Sequence, residues 1–179
     1  MKDIMLRIIG RQIDRNDEVA DETIEFMTEG KAYRKGESTY IVYEESEMSG
    51  MEGVKTILRI DRDGSVRMKR FGSGVMLDTV MEFHQGKRFN SLYETPFGVF
   101  EMEVLTNSVV NDLEPENITG NLFIDYEIAL KGLSETRSLL NIEVSEASAD
   151  LPAAAGGADS SPAEGRDGAP CGGAASPVN

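Results

Sequence analysis

A chain of 179 residues with 40% hydrophobic content can bury one sizeable core, so a single folded domain is expected. Its formal charge of −14 opposes the phosphate neutralisation that nucleic-acid binding requires, and disfavours an anionic membrane surface. Its one cysteine, Cys171, excludes an internal disulfide and leaves the body of the chain without a thiolate for a metal site.

The composition divides the chain in two. Residues 147–179 are mostly Ala, Gly, Ser and Pro, with one leucine, one valine and no aromatic side chain. Such a segment buries too little apolar surface to offset its conformational entropy and is expected to be a disordered tail. The folded body is then residues 1–146. The tail's Asp150, Asp159, Glu164 and Asp167 against Arg166 account for −3, which leaves −11 on the body. The N-terminal stretch MKDIMLRIIGRQ is interrupted by Asp3, Arg7 and Arg11, unlike a signal peptide. No apolar run approaches bilayer-spanning length. A cytoplasmic location is expected.

In chain order, Ile4, Leu6 and Ile8 alternate with Met5 and Arg7, predicting a strand that ends near Gln12. Asp14–Asp21 reads as a loop. A second strand spans Thr23–Glu29 and stops at a turn on Gly30. Ala32–Lys35 and Thr39–Glu44 form a hairpin through Gly36. Glu45–Gly53 reads as a loop or a bulged crossing strand. Val54, Thr56, Leu58 and Ile60 share one side of the next strand, Asp63-Gly64 supplies a hairpin turn, and Val66, Met68 and Arg70 continue that side.

Val75 to Thr106 then reads as three strands joined by two glycine-containing turns, a continuous meander. Val75, Leu77, Thr79, Met81 and Phe83 share one face; Phe89, Ser91, Tyr93 and Thr95 form one face of the second run. Phe100, Met102, Val104 and Thr106 do so on the third. Leu113–Thr119 reads as a loop, because Pro115 cannot sit in a central strand. Leu122, Ile124, Tyr126, Ile128 and Leu130 give the cleanest alternation, with Asp125 on the opposite, solvated face. Leu140, Ile142 and Val144 close the set. About ten strands at hairpin spacing with no amphipathic helix predict an all-β fold. A closed antiparallel barrel removes the edges of so long a sheet and ranks above a two-sheet sandwich.

Five stretches in this order resemble the YwiB-like family of bacterial proteins of unknown function. They are Phe26–Gly30, Tyr43–Ser46 leading to Gly50 and Val54–Thr56, Arg70–Gly72, Met81–Phe83 with Gly86–Arg88, and Tyr93–Gly98. The resemblance covers the body and stops near Glu146. It implies a closed antiparallel barrel of the calycin-like, lipocalin-related kind, of about 8–10 strands, in a cytoplasmic bacterial protein. It implies no catalytic residue.

Following the apolar phase places Thr56, Arg70, Thr79, Ser91, Tyr93, Thr95 and Thr106 on the core side. Calycin barrels enclose side chains or a small ligand, and inward polar groups would orient such a ligand. Arg70 is the most informative, since a buried guanidinium requires a carboxylate, a carbonyl cluster or an anionic ligand. Threonine is also simply a good strand residue. Met48 and Met51 mark a candidate lid or partner-binding loop.

Paired carboxylates at Glu101 and Glu103, and at Asp125 and Glu127, could run acid–base chemistry, but both pairs lie opposite an apolar face and read as outer surface. His84 stands alone beside a turn and makes neither a metal site nor a nucleophile's base. No catalytic residue, metal or cofactor is assigned. The expected activity is non-enzymatic binding of a small, anionic or amphipathic ligand inside the barrel. An interaction or scaffold barrel with a filled lumen is second, and an enzyme using lumenal polar residues third. Oligomeric state is not legible.

Overall fold

Inward apolar residues at every second position give strands rather than helices throughout the body. The computed structural model describes residues 1–14, 20–72, 79–95, 98–131 and 134–147, without the side chains of 14, 20–22, 94–95 and 134. The strand residues expected at Val75–Asp78, and the tail beyond Ala147, lie outside that set. The described strands are β1 (Lys2–Asp14), β2 (Ala20–Lys35), β3 (Ser38–Glu44), β4 (Lys55–Ile60) and β5 (Val66–Phe71). They continue with β6 (Thr79–Phe83), β7 (Arg88–Thr95), β8 (Gly98–Asn111), β9 (Gly120–Leu130) and β10 (Ser134–Glu146). A single 3₁₀ turn, Glu47–Ser49, is the described helical element.

All ten strands form one antiparallel sheet in the order β6-β5-β4-β3-β2-β1-β10-β9-β8-β7. The sheet curls into a nearly closed barrel, as the sequence predicts. The seam falls between β6 and β7, which are consecutive in the chain yet stand at the two ends of the sheet. The three-strand meander expected over 75–106 is therefore corrected. β7 pairs with β8, but among the described residues no ladder joins β6 to β7. The connecting turn belongs to β8 instead: Thr106 accepts from the Gly86 N–H at 2.8 Å and donates to the Lys87 carbonyl at 3.1 Å.

Gly30 is a second correction. It lies inside β2, paired with Ile4 on one side and Tyr43 on the other. β2 pairs β1 as far as Ala32 and β3 from Gly30 onward, so it turns a corner of the barrel. A Cβ there would lie 2.9 Å from the Val42 carbonyl oxygen and 3.0 Å from Leu6 Cδ1, and glycine permits that approach.

Ile4, Leu6, Ile41, Leu58, Met68, Phe83, Val104, Leu122, Ile124 and Ile142 are fully buried on the inner face. Each contributes roughly 1.5–3 kcal/mol of apolar transfer. Phe83 on β6 meets the ring of Tyr126 on β9, with centroids 4.9 Å apart, so side chains fill the lumen at this level.

The two ends of the barrel differ. At one end the β8–β9 loop folds over the interior and buries Ile118 in the core. The loop is closed by Ile118 N–H to the Glu114 carbonyl and Glu114 N–H to that of Thr119, both 2.8 Å. Ile118 has φ +56°, a left-handed conformation that a β-branched residue rarely adopts. Burial and the closed loop hold it there. At the other end β3, β5 and β7 finish and β4, β6 and β8 begin, and the inward side chains turn polar.

Candidate functional site

One row of paired residues crosses this polar end. Gly30 on β2 faces Tyr43 on β3, Tyr43 faces Thr56 on β4, Thr56 faces Arg70 on β5, and Arg70 faces Thr79 on β6. Antiparallel register sets the row, and period-2 alternation turns every member inward. Thr56 and Thr79 are buried, and the Arg70 side chain is 21% exposed.

The partner of Arg70 comes from the chain itself. The Glu45 side chain, only 2% exposed, places Oε1 3.4 Å from Arg70 Nε, and the same oxygen accepts a 2.7 Å hydrogen bond from Thr56 Oγ1. The ion pair is geometrically incomplete, since Arg70 Nε is buried and makes no hydrogen bond. Ser46 Oγ, next in the chain, is also buried without a partner. Burial pushes the Tyr43 phenol well above the ordinary tyrosine range; the Glu45 charge adds to the rise and Arg70 opposes it.

Glu45 also forms the neck of the following loop. Its N–H donates to the Val54 carbonyl at 2.8 Å, closing the segment in which Met48 is exposed and Met51 half-buried. Within it Gly50 and Gly53 have φ of +71° and +78°. From sequence, Glu45 falls in the stretch that reads as a loop or a bulged crossing strand. Its position was legible all the same: Ile41, Tyr43 and Glu45 share one phase, so extending the alternation one step points a carboxylate inward beside Arg70.

The remaining inward residues do not join this row. Ser91 and Tyr93 are half-buried on β7, across the seam, and Ser91 Oγ lacks a partner. The Thr95 side chain is outside the described set. Thr106 is fully buried beside Tyr126, on the plugged side of the barrel, with Oγ1 unpartnered. The seven residues are thus no single constellation: Thr56, Arg70 and Thr79 form one group, while Thr106 belongs to another layer.

The outer carboxylates pair with bases. Glu101 meets Lys131 at 2.7 Å, and Glu103 meets Arg88. Asp125 is a correction, because the outer face there is not solvated. A register shift in β8 at Asn107 brings its Nδ2 to Asp125 Oδ1 at 3.1 Å, and Arg137 grips the carboxylate through Nε at 3.0 Å and Nη2 at 2.7 Å. These bonds hold the Asp125 carboxyl below its usual range, Arg137 first. His84 lies 4.0 Å from Glu82 beside its turn. Among the described residues, no helix is long and apolar enough to cross a membrane.

The sequence profile of the domain of unknown function DUF1934 matches residues 7–142, most of the barrel. The chain belongs to the DUF1934 family. A relative within reach is the uncharacterized β-barrel protein YwiB of Bacillus subtilis, 32% identical over 112 residues, which are 63% of this chain and 73% of that protein. The crystal structure of the B. subtilis ywiB protein superposes with a TM-score of 0.66 at 26% identity, covering 82% of this chain and 93% of that one. This DUF1934 protein therefore shares its barrel with a relative whose own function is unassigned. The Glu45–Arg70 row lies wholly within the matched span.

Proposed function

We propose that this DUF1934 barrel is a non-enzymatic binder of a small anionic ligand, held at its polar end with Arg70 as the cationic anchor. The observation that carries the reading is the buried, unbonded Nε of Arg70, set 3.4 Å from a carboxylate that only partly satisfies it. A buried donor left without an acceptor costs about 1–3 kcal/mol, which a ligand oxygen placed there would recover. Ser46 Oγ, one residue beyond Glu45, is a second buried polar atom without a partner. The Ile118 plug and the Phe83–Tyr126 contact favour a ligand confined to one end over one that fills the lumen. That division, with one end plugged and one polar, supports the calycin-like character implied by the resemblance. The acidic body opposes an anion's approach from afar, but screening over about 8 Å at physiological ionic strength leaves the local guanidinium to decide. The same acidity supports a partner that is neither nucleic acid nor anionic membrane, and a cytoplasmic location is part of the proposal.

Native mass spectrometry of the protein purified from its own host, followed by calorimetric titration with acetate, succinate and phosphate, tests the proposal. A retained small acid, or binding lost in Arg70→Leu, is the expected result. An empty protein that binds none of the three anions refutes it. A second reading, an interaction barrel using its outer wall, is favoured by a groove of about 550 Å³ lined by residues that include Asn90, Leu92, Glu101 and Lys131. Leu92 and Val99 are exposed on that wall. Pull-down with this barrel and its Leu92→Ser variant would reveal a partner lost on substitution.

A further inference from the structure

Glu45 occupies the position that an anionic ligand of Arg70 would take. Its carboxylate is buried, receives the Thr56 hydroxyl at 2.7 Å, and approaches Nε at 3.4 Å without hydrogen-bond alignment. A planar guanidinium is best matched by a carboxylate that engages two N–H groups in parallel, which a side chain tethered at the end of β3 has not achieved here. The hydrogen bonds within the loop that Glu45 begins are short-range ones, such as Ser49 N–H to the Ser46 carbonyl at 3.1 Å and Gly50 N–H to that of Glu47 at 2.9 Å. The 3₁₀ turn Glu47–Ser49 buries no residue, Met48 is exposed, and Gly50 and Gly53 occupy the left-handed region. A segment with few buried apolar contacts opens at low free energy.

The geometry points to Glu45 as a resident carboxylate that stands in for the ligand: the ligand is a carboxylic acid, and its binding displaces Glu45 from Arg70 and releases the 46–53 loop from the barrel end. This rests on the ligand-binding reading above and extends it in two ways. It names the ligand class, because the site already accommodates a carboxylate with Thr56 and Arg70 as donors. It also makes occupancy visible from outside, since the neck of an exposed loop must move for the ligand to enter. The exchange is one anion for another, so the local charge balance is kept, and the evicted Glu45 gains solvation at the strand end.

Chemical rescue is the test. Glu45→Ala removes the resident carboxylate and leaves a gap of its size beside Arg70. The variant should melt roughly ten degrees below the parent protein, as loss of one side of a buried pair predicts. Acetate should restore most of that difference, whereas chloride at equal ionic strength should not. Glu45→Gln keeps an acceptor for Thr56 without the charge, and should bind acetate at least about tenfold more tightly than the parent, because no charged competitor has to leave. In the parent protein, saturating acetate should speed amide hydrogen exchange across Ser46–Gly53. If acetate binds the parent and Glu45→Gln equally and loop exchange is unchanged, the displacement is wrong while anion binding stands. If acetate fails to bind the parent and both variants, and rescues nothing, the anion site itself is wrong. Should Glu45→Ala fail to fold, the Glu45→Gln titration and the exchange measurement decide between these outcomes.

Discussion

Replacing Arg70 by leucine separates the two demands placed on that residue. The Glu45 side chain is almost wholly buried and would keep one hydrogen bond, from Thr56, after the guanidinium is gone. Removing one partner of a buried ion pair costs about 3–5 kcal/mol, because the other charge is left uncompensated. The lower figure applies here: Arg70 is about one-fifth exposed and its Nε is not hydrogen-bonded to Glu45. A loss of about 3 kcal/mol corresponds to roughly 6–12 °C in the midpoint of a chain this size. Urea denaturation of the parent, Arg70→Leu, Glu45→Gln and the double variant measures it as a cycle. Each single variant should be destabilised and the double variant should recover most of the loss, since a matched pair replaced by uncharged groups is often nearly neutral. A coupling energy below about 0.5 kcal/mol, which is what independent sites give, would refute the reasoning.

Four further outcomes follow from the geometry. Gly30→Ala should destabilise by about 1–3 kcal/mol by urea denaturation, although alanine usually orders a strand better than glycine, because the new methyl meets the Val42 carbonyl oxygen and Leu6. Ile118→Gly should be more stable than Ile118→Ala by about 1 kcal/mol, reversing the usual order, since φ +56° strains every residue with a Cβ. Asp125→Asn should lose about 1.5–3 kcal/mol at neutral pH, the worth of hydrogen bonds to a charged group. The folded-state pKa of Asp125 is depressed, so its contribution is present above the ordinary carboxylate range and is lost as pH falls through the depressed value. The stability curves of parent and variant should therefore converge in acid. Tyr43 has the opposite sign. Its raised pKa favours the folded state while the phenol is neutral, and that stability declines once pH exceeds the ordinary tyrosine value, so Tyr43→Phe should flatten the alkaline limb of the stability profile.

The all-β class, the inward faces and most strand positions were fixed by period-2 alternation, which is a local property of the chain. Ile4, Leu6, Leu122, Ile124 and Ile142 lie inside for the reason their spacing suggests, namely that successive side chains of a strand point to opposite faces. The inward direction of Thr56, Arg70 and Thr79 follows from the same rule. Pairing between strands is not local, and there the tertiary structure decided. The 84–87 turn closes on itself through Lys87 N–H to the His84 carbonyl, but its Gly86 N–H goes to Thr106 on β8, and among the described residues no ladder joins β6 to β7; no spacing reveals that. Gly30 resembled a turn because glycine usually breaks strands, yet the barrel needs it where β2 passes from β1 to β3 at close quarters. Asp125 has the phase of an outer residue and is buried even so, because the irregularity at Asn107 folds a neighbour over it. The partner of Arg70 lies 25 residues earlier in the chain, on a strand end brought alongside only when β3, β4 and β5 pair in register. Alternation tells which way Glu45 and Arg70 point; the register of three strands makes them meet.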